Sequence, residues 1–253
     1  MFETICYGGL GNRVNEILNG KLAFGGGSIS WNVNEHCPFT FEQIFKGAMG
    51  FDEIKNLQTG DIGFIEEYWA NLYPEGGYCS YWYAGNTTMG HITTHDELVH
   101  TYKEILSNLI GEKNEDEYTL GIHYRGMGTA CGDMSQFLDC ILDTWDGGRA
   151  FVLADCNRDV IGEFLHSNKI PFDFGLSPEM NGDKDRGDYN IMRKFIQDFK
   201  TLNSCKVIVT SSSISTMTDP ARAFGSKIIH VGPLRTDPAC WFVVNNPQSF
   251  IQK

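Results

Sequence analysis

Long apolar runs are missing from this 253-residue chain. No stretch approaches the ~18 residues that a membrane-spanning helix requires, so no transmembrane segment is expected. Charge of one sign is also scarce: 20 Lys and Arg stand against 32 Asp and Glu, a net charge of −12. A nucleic-acid binder needs a basic face, and none is visible. The eight cysteines (Cys6, Cys37, Cys79, Cys131, Cys140, Cys156, Cys205 and Cys240) contain no C-x-x-C pair. A dense disulfide framework belongs to small secreted folds. The scattered pattern points instead to reduced, mostly buried thiols in a cytoplasmic protein. Closely spaced Cys/His ligand pairs are absent too, which argues against a zinc site. The start carries no leader pattern, passing from Met1 through Ile5-Cys6-Tyr7 into a glycine turn. Neither repeats nor low-complexity tracts occur. What is present is an ordinary globular composition, 42% hydrophobic and 21% charged.

The apolar pattern alternates between strands and helices. A short strand over 3–7 leads into Gly8-Gly9-Leu10-Gly11-Asn12-Arg13. Val14, Ile17, Leu18 and Leu22 then repeat at helical spacing, with Asn12 in position to cap the helix. Gly25-Gly26-Gly27 ends it, a second strand is expected over 29–33, and a short aromatic helix or turn over 39–45. Residues 50–95 are aromatic, glycine-rich and weakly periodic, and read as loops and short elements. An amphipathic helix follows over 96–110, and then the polar run 111–117 offers a domain boundary. Beyond it, strands are expected at 118–123, 150–154, 206–210 and 228–231, and helices at 135–145, 160–165 and 190–202. A further helix opens at Asp219-Pro220, with the aspartate as cap, and is closed by Gly225. This alternation implies an α/β fold of parallel sheets covered on both faces.

Several constellations can carry chemistry. A strand, a glycine turn and a helix N-terminus make an anion site, because free backbone N–H groups point outward there. Gly9 and Gly11 fit a dinucleotide fingerprint, but Val14 stands where its third glycine belongs and no acidic ribose partner follows. A nicotinamide enzyme is therefore not indicated, and a structural turn stays open. His123 and Arg125 end a strand on the same side. Ligands of open α/β sheets bind at such ends, and an arginine there can grip two phosphate oxygens. A surface ion pair and a packed histidine are the plain alternative. Ser211, Ser212 and Ser213 follow another buried strand with hydroxyls that suit phosphate, or form a simple loop. Asp133 and Asp155 are candidate bases for an acceptor hydroxyl, or helix caps. Asp183-Lys184-Asp185 matches a metal-binding D-x-D, but with no strand before it a solvated loop is the better reading.

Taken in order, these pieces resemble the fucosyltransferase superfamily, nearest the nodulation-type and core α-1,6-fucosyltransferases. The carriers are Gly8-Gly9-Leu10-Gly11-Asn12-Arg13, Asn34-Glu35-His36-Cys37, Phe41-Glu42-Gln43-Ile44-Phe45, His123-Tyr124-Arg125 and the late serine loop. The resemblance implies a compact GT-B-like fold of two Rossmann-like domains. Residues 1–112 would form an acceptor-side domain and 113–253 a nucleotide-sugar-binding domain. It implies an inverting, metal-independent transfer of a sugar from a GDP-sugar, fucose by preference, to a glycan hydroxyl, with no cofactor besides the donor. Gly9, Gly11, Asn12 and Arg13 would lie at the donor site. Arg125 would hold the β-phosphate, His123 would support the nucleotide, Asp198 would read guanine, and Ser211, Ser212 and Ser213 would meet the diphosphate. Asp155 would lie close by. Asp133 falls where the core-type enzymes carry a catalytic glutamate. Gly126 departs from the second basic residue of many relatives. Two other readings stay open: a non-catalytic nucleotide- or glycan-binding module on this fold, and a transferase with another donor.

Overall fold

A computed structural model describes residues 3–6, 8–34, 37–58, 95–126, 133–179, 187–211, 216–231 and 250–252. These divide into two compact units, one of the described residues through Ile110 and one of those from Gly111 onward.

In the first unit, β1 (Glu3–Cys6), α1 (Leu10–Phe24), β2 (Ser28–Val33), α2 (Phe41–Ile44), β3 (Glu53–Gln58) and α3 (His95–Asn108) follow one another. The three strands form a parallel sheet in the order β1-β2-β3. Leu10, Val14, Ile17 and Leu18 form the buried face of α1, as their spacing requires. The helix starts earlier than expected: Gly9 is its N-cap, and Asn12 lies inside the first turn. Gly25 closes it in the left-handed region, φ 69°, and donates its N–H to the Lys21 carbonyl. Trp31 is fully buried at the centre of β2. The Phe41 and Phe45 rings pack against it in T-shaped geometry, centroids 5.5 and 5.8 Å away, and its Nε1 donates to the Phe39 carbonyl at 2.7 Å. α3 buries Leu98, Tyr102 and Ile105, and its Tyr102 hydroxyl donates to Asn15 Oδ1 of α1. β3 was not anticipated. Its sequence, Glu-Ile-Lys-Asn-Leu-Gln, carries two apolar residues and reads as a loop, yet it pairs with β2 along its whole length.

The second unit holds β4 (Leu120–Tyr124), α4 (Met134–Thr144), β5 (Ala150–Ala154), α5 (Arg158–Ser167), β6 (Phe172–Phe174), α6 (Tyr189–Leu202), β7 (Val207–Thr210), α7 (Asp219–Ala223), β8 (Lys227–His230) and β9 (Phe250–Gln252). All six strands are parallel, in the order β6-β5-β4-β7-β8-β9. Counted within this unit, that is the 3-2-1-4-5-6 order of a Rossmann sheet. One face packs Leu120, Ile122, Ala150 and Val152 against Phe137 and Ile141 of α4 and Ile161 and Leu165 of α5. The other packs Phe151, Leu153, Ile208 and Ile228 against Leu202 of α6 and Ala221 of α7. α5 is longer than its apolar spacing suggested, and α7 is capped by Thr218 rather than Asp219. β6 and β9, three residues each, were not anticipated; so short a strand leaves no alternation to read.

Gly121 lets α6 settle on this second face. A Cβ there would lie 2.9 Å from Leu202 Cδ1 and 3.1 Å from Ile208 Cγ1. Gly121→Ala should therefore cost about 1–3 kcal/mol through overpacking, measured by urea unfolding. An unchanged midpoint would mean that the contact relaxes freely.

Candidate functional site

The strand order reverses direction at β4: the chain builds β5 and β6 on one side, then returns to add β7, β8 and β9 on the other. The crevice outside the carboxyl ends of β4 and β7 is thus the topological switch point, where such sheets take their ligands. His123 and Arg125 lie at the end of β4, Ser211 follows β7 and Asp155 follows the neighbouring β5, so the sheet brings together four residues expected at the site.

Backbone bonds fix the strand ends to one another. Ser211 donates its N–H to the His123 carbonyl at 3.0 Å, and its Oγ accepts the Arg125 N–H at 2.8 Å. On the other side, Asp155 donates its N–H to the Tyr124 carbonyl, and its Oδ1 accepts the Gly126 N–H at 2.7 Å. The backbone around Arg125 is therefore held from both neighbouring strands, while its side chain is only half-buried. Gly126 has its own reason: a Cβ there would run into the Cys156 Sγ.

His123 points into the face covered by α6 and α7. It is buried, and its Nδ1 lies 2.9 Å from Thr210 Oγ1. Burial first, then the Arg125 and His230 charges, push its pKa down to about 3, so the ring is neutral at physiological pH. Next to it, His230 Nε2 lies 3.4 Å from Arg222 Nη2, and Arg222 pairs with Asp219 at 3.1 Å in the interior. No local signal marks this second cluster except the i, i+3 spacing of Asp219 and Arg222.

Other expected residues serve the fold. The buried carboxylate of Asp198 accepts N–H groups from Leu176 at 2.7 Å and Ser177 at 2.8 Å, and the Ser177 hydroxyl at 2.5 Å. It is closed on the loop after β6. Burial raises its pKa, against those hydrogen bonds and Arg158, which lower it. Arg158 holds the same loop from the carbonyl side, donating to Gly175 and Ser177. Asp133 is exposed and caps α4, its Oδ1 accepting the N–H and hydroxyl of Ser135. Those bonds lower its pKa, so it is ionised at neutral pH.

In the first unit, Arg13 has no exposed surface. It donates to the carbonyls of Gly8 at 2.7 Å, Cys6 at 3.2 Å and Asn32 at 2.6 Å, and its guanidinium lies 4.3 Å over the Trp31 ring. Through these bonds it joins the ends of β1 and β2 to the glycine loop. Gly8 takes φ 81°, and a Cβ there would meet Asn12 Nδ2 at 2.7 Å. At Gly9 a Cβ would meet nothing within 4 Å, which leaves open space at the start of α1. Gly11 is buried within the helix. Ser212, Ser213, Asp183 and Asp185 lie outside the described residues. Among the described residues no cluster of three His, Cys, Asp or Glu side chains could hold a metal, and no helix is long and apolar enough to cross a membrane.

No family model matches the chain, and no curated protein matches it significantly. Among solved structures it resembles NodZ α-1,6-fucosyltransferase soaked with GDP-fucose, with a TM-score of 0.51 and 10% identity, covering 87% of this chain and 91% of that one. NodZ co-crystallised with GDP gives 0.47 and 10%, over 87% and 90%. NodZ from Bradyrhizobium gives 0.48 and 11%, over 87% and 91%. At such identity the likeness is one of fold: the chain has an α/β fold with parallel sheets, like that of the NodZ structure.

Two measurements follow from this geometry. Arg13→Met removes hydrogen bonds from a charged donor, each worth about 1.5–3 kcal/mol. It should lower unfolding stability by about 3 kcal/mol; unchanged stability would return Arg13 to the ligand-facing residues. For His123, the folded pKa of about 3 lies below the ordinary 6.5. The unfolded chain therefore takes up the proton first, and the contribution is full above pH 6.5 and lost as pH falls toward 3. Wild type should lose up to about 1.4 kcal/mol per pH unit in that window relative to His123→Asn. Parallel stability curves for the two proteins would refute a buried neutral ring.

Proposed function

We propose that the chain is an inverting, metal-independent glycosyltransferase that takes a sugar, by preference fucose, from a GDP-sugar and places it on a glycan hydroxyl. The observation that carries this reading is Arg125, a half-buried cation whose backbone is fixed at the switch point of a Rossmann sheet. Its planar fork suits the paired oxygens of a diphosphate. Because the backbone is held before any ligand arrives, little reorganisation is needed as charge builds on the leaving group.

In this scheme the acceptor hydroxyl attacks the anomeric carbon from the face opposite the diphosphate, and the glycosidic C–O bond to GDP breaks. The ring passes through an oxocarbenium-like state, and GDP departs with the negative charge. Asp133 takes the acceptor proton, with Asp155 as the second choice. A carboxylate of lowered pKa is a weak base, which suffices because the hydroxyl becomes acidic only late, as its bond to carbon forms. Asp155 and Ser211 support the arginine through its backbone, and the neutral ring of His123 backs the same strand end. Asp198 and Arg158 shape the loop beside β5, through which the base would be met.

Calorimetric titration with GDP, UDP and ADP in EDTA tests the reading. Micromolar GDP binding that Arg125→Ala weakens, together with a turnover loss of about a hundredfold or more in that variant, is expected. No binding of any nucleotide would remove the hypothesis. GDP binding with neither transfer nor donor hydrolysis would make the chain a nucleotide-binding module instead. Asp133→Asn should lower turnover by about 10²-fold or more while leaving the GDP affinity unchanged; full activity would pass the base to Asp155.

A further inference from the structure

Ser28, Ser30 and Asn32 share one face of β2 by the strand's period of two. Trp31 lies on the opposite face, with Phe41, Phe45 and Arg13. All three polar residues are at most 3% exposed. A parallel strand buried on both faces ordinarily carries Val, Ile or Leu on each; here one face carries two serines and an asparagine. The partners beside them on β3 are Glu53, Lys55 and Leu57, and Glu53 and Lys55 neutralise each other at 3.2 Å.

Asn32 is the unusual member. It is fully buried, and neither its Nδ2 nor its Oδ1 has a hydrogen-bond partner among the described residues. Buried amides left unmet forfeit their hydration, and folded proteins rarely tolerate it without a use. Its backbone carbonyl is held by Arg13 at 2.6 Å, so the strand end is positioned without help from the side chain. Asn32 also lies near the carboxyl end of the middle strand of a parallel sheet, the end at which such sheets take ligands.

The chemistry narrows the ligand. A carboxamide offers two donors and one acceptor and no charge. The nearby guanidinium of Arg13 already donates to three carbonyls, so this end presents dipoles rather than a cation. Such a group pairs with adjacent hydroxyls or an acetamido group far better than with a phosphate. We propose that the carboxyl end of β2 is a subsite for a neutral saccharide, with Asn32 as its hydrogen-bonding anchor. Resting on the transferase reading above, the sugar it takes is the acceptor.

The test pairs binding with stability. Wild type and Asn32→Leu are compared by saturation-transfer NMR with glucose, galactose, mannose and N-acetylglucosamine, without nucleotide, and by thermal unfolding. Wild type should show transfer to at least one sugar, and Asn32→Leu should reduce it fivefold or more with Tm unchanged or raised, since leucine removes an unmet polar group. Wild type without transfer to any of the four, or equal transfer in both proteins, overturns the proposal. So does a lower Tm with the sugar signal kept. Should leucine prevent folding, Asn32→Ala decides by the same sugar comparison. A GDP titration of each variant keeps the two readings apart. Unchanged GDP affinity with lost sugar binding supports the subsite, whereas sugar binding by a wild type that ignores GDP leaves the subsite standing and removes the transferase.

Discussion

Everything proposed for the second unit depends on how the end of β4 is held by the strands on either side. Ser211 and Asp155 do this with their own polar groups as well as with their main chains. The consequence is energetic rather than merely architectural. A cation that meets a diphosphate is useful to the extent that its position is settled beforehand, since an arm ordered only on binding gives back part of its attraction as lost entropy. Asp155 shows how such support escapes notice. A carboxylate after an apolar strand invites a catalytic role, yet in this fold it accepts a backbone N–H from the preceding strand end, 29 residues earlier.

Buried polar groups are used in opposite ways in this fold. Arg13 is surrounded by carbonyls that answer nearly all of its donors, and the strand ends it joins are thereby made into one piece. Asn32, one strand position from the tryptophan on which that guanidinium rests, has a side chain that the described residues leave unanswered. A satisfied polar group in the interior specifies structure, and an unsatisfied one is a standing cost unless something arrives to meet it. Asp198 belongs with Arg13, since its carboxylate is engaged with the loop after β6.

Much of the architecture was legible in the sequence because long elements carry their own periodicity. The faces of α1, α3, α4 and α6 and the apolar runs of β4, β5, β7 and β8 could be read directly. β3 could not, since an edge strand with one face toward solvent needs few apolar residues, and β6 and β9 are too short to show alternation. Within the site, His123, Arg125, Asp155 and Ser211 were visible as polar residues at strand ends. Which way their neighbours point was not. Arg13 and Asp198 lie in motifs that suggest ligand contact, and only tertiary partners far along the chain reveal that their polar atoms are used within the fold. Arg158 and Asn32 carried no local signal, because one acts through carbonyls and the other is conspicuous only for what it lacks.

The contact between Gly126 and Cys156 also constrains how this site can change over generations. A second cation beside Arg125 is an obvious way to strengthen a hold on phosphate, but any side chain at 126 runs into the Cys156 sulfur. The Cys156 side chain must turn away or shrink before residue 126 can grow, and that change alone brings no gain in binding. The two positions are thus coupled, and the effect of a substitution at 126 depends on what stands at 156 and how it is turned.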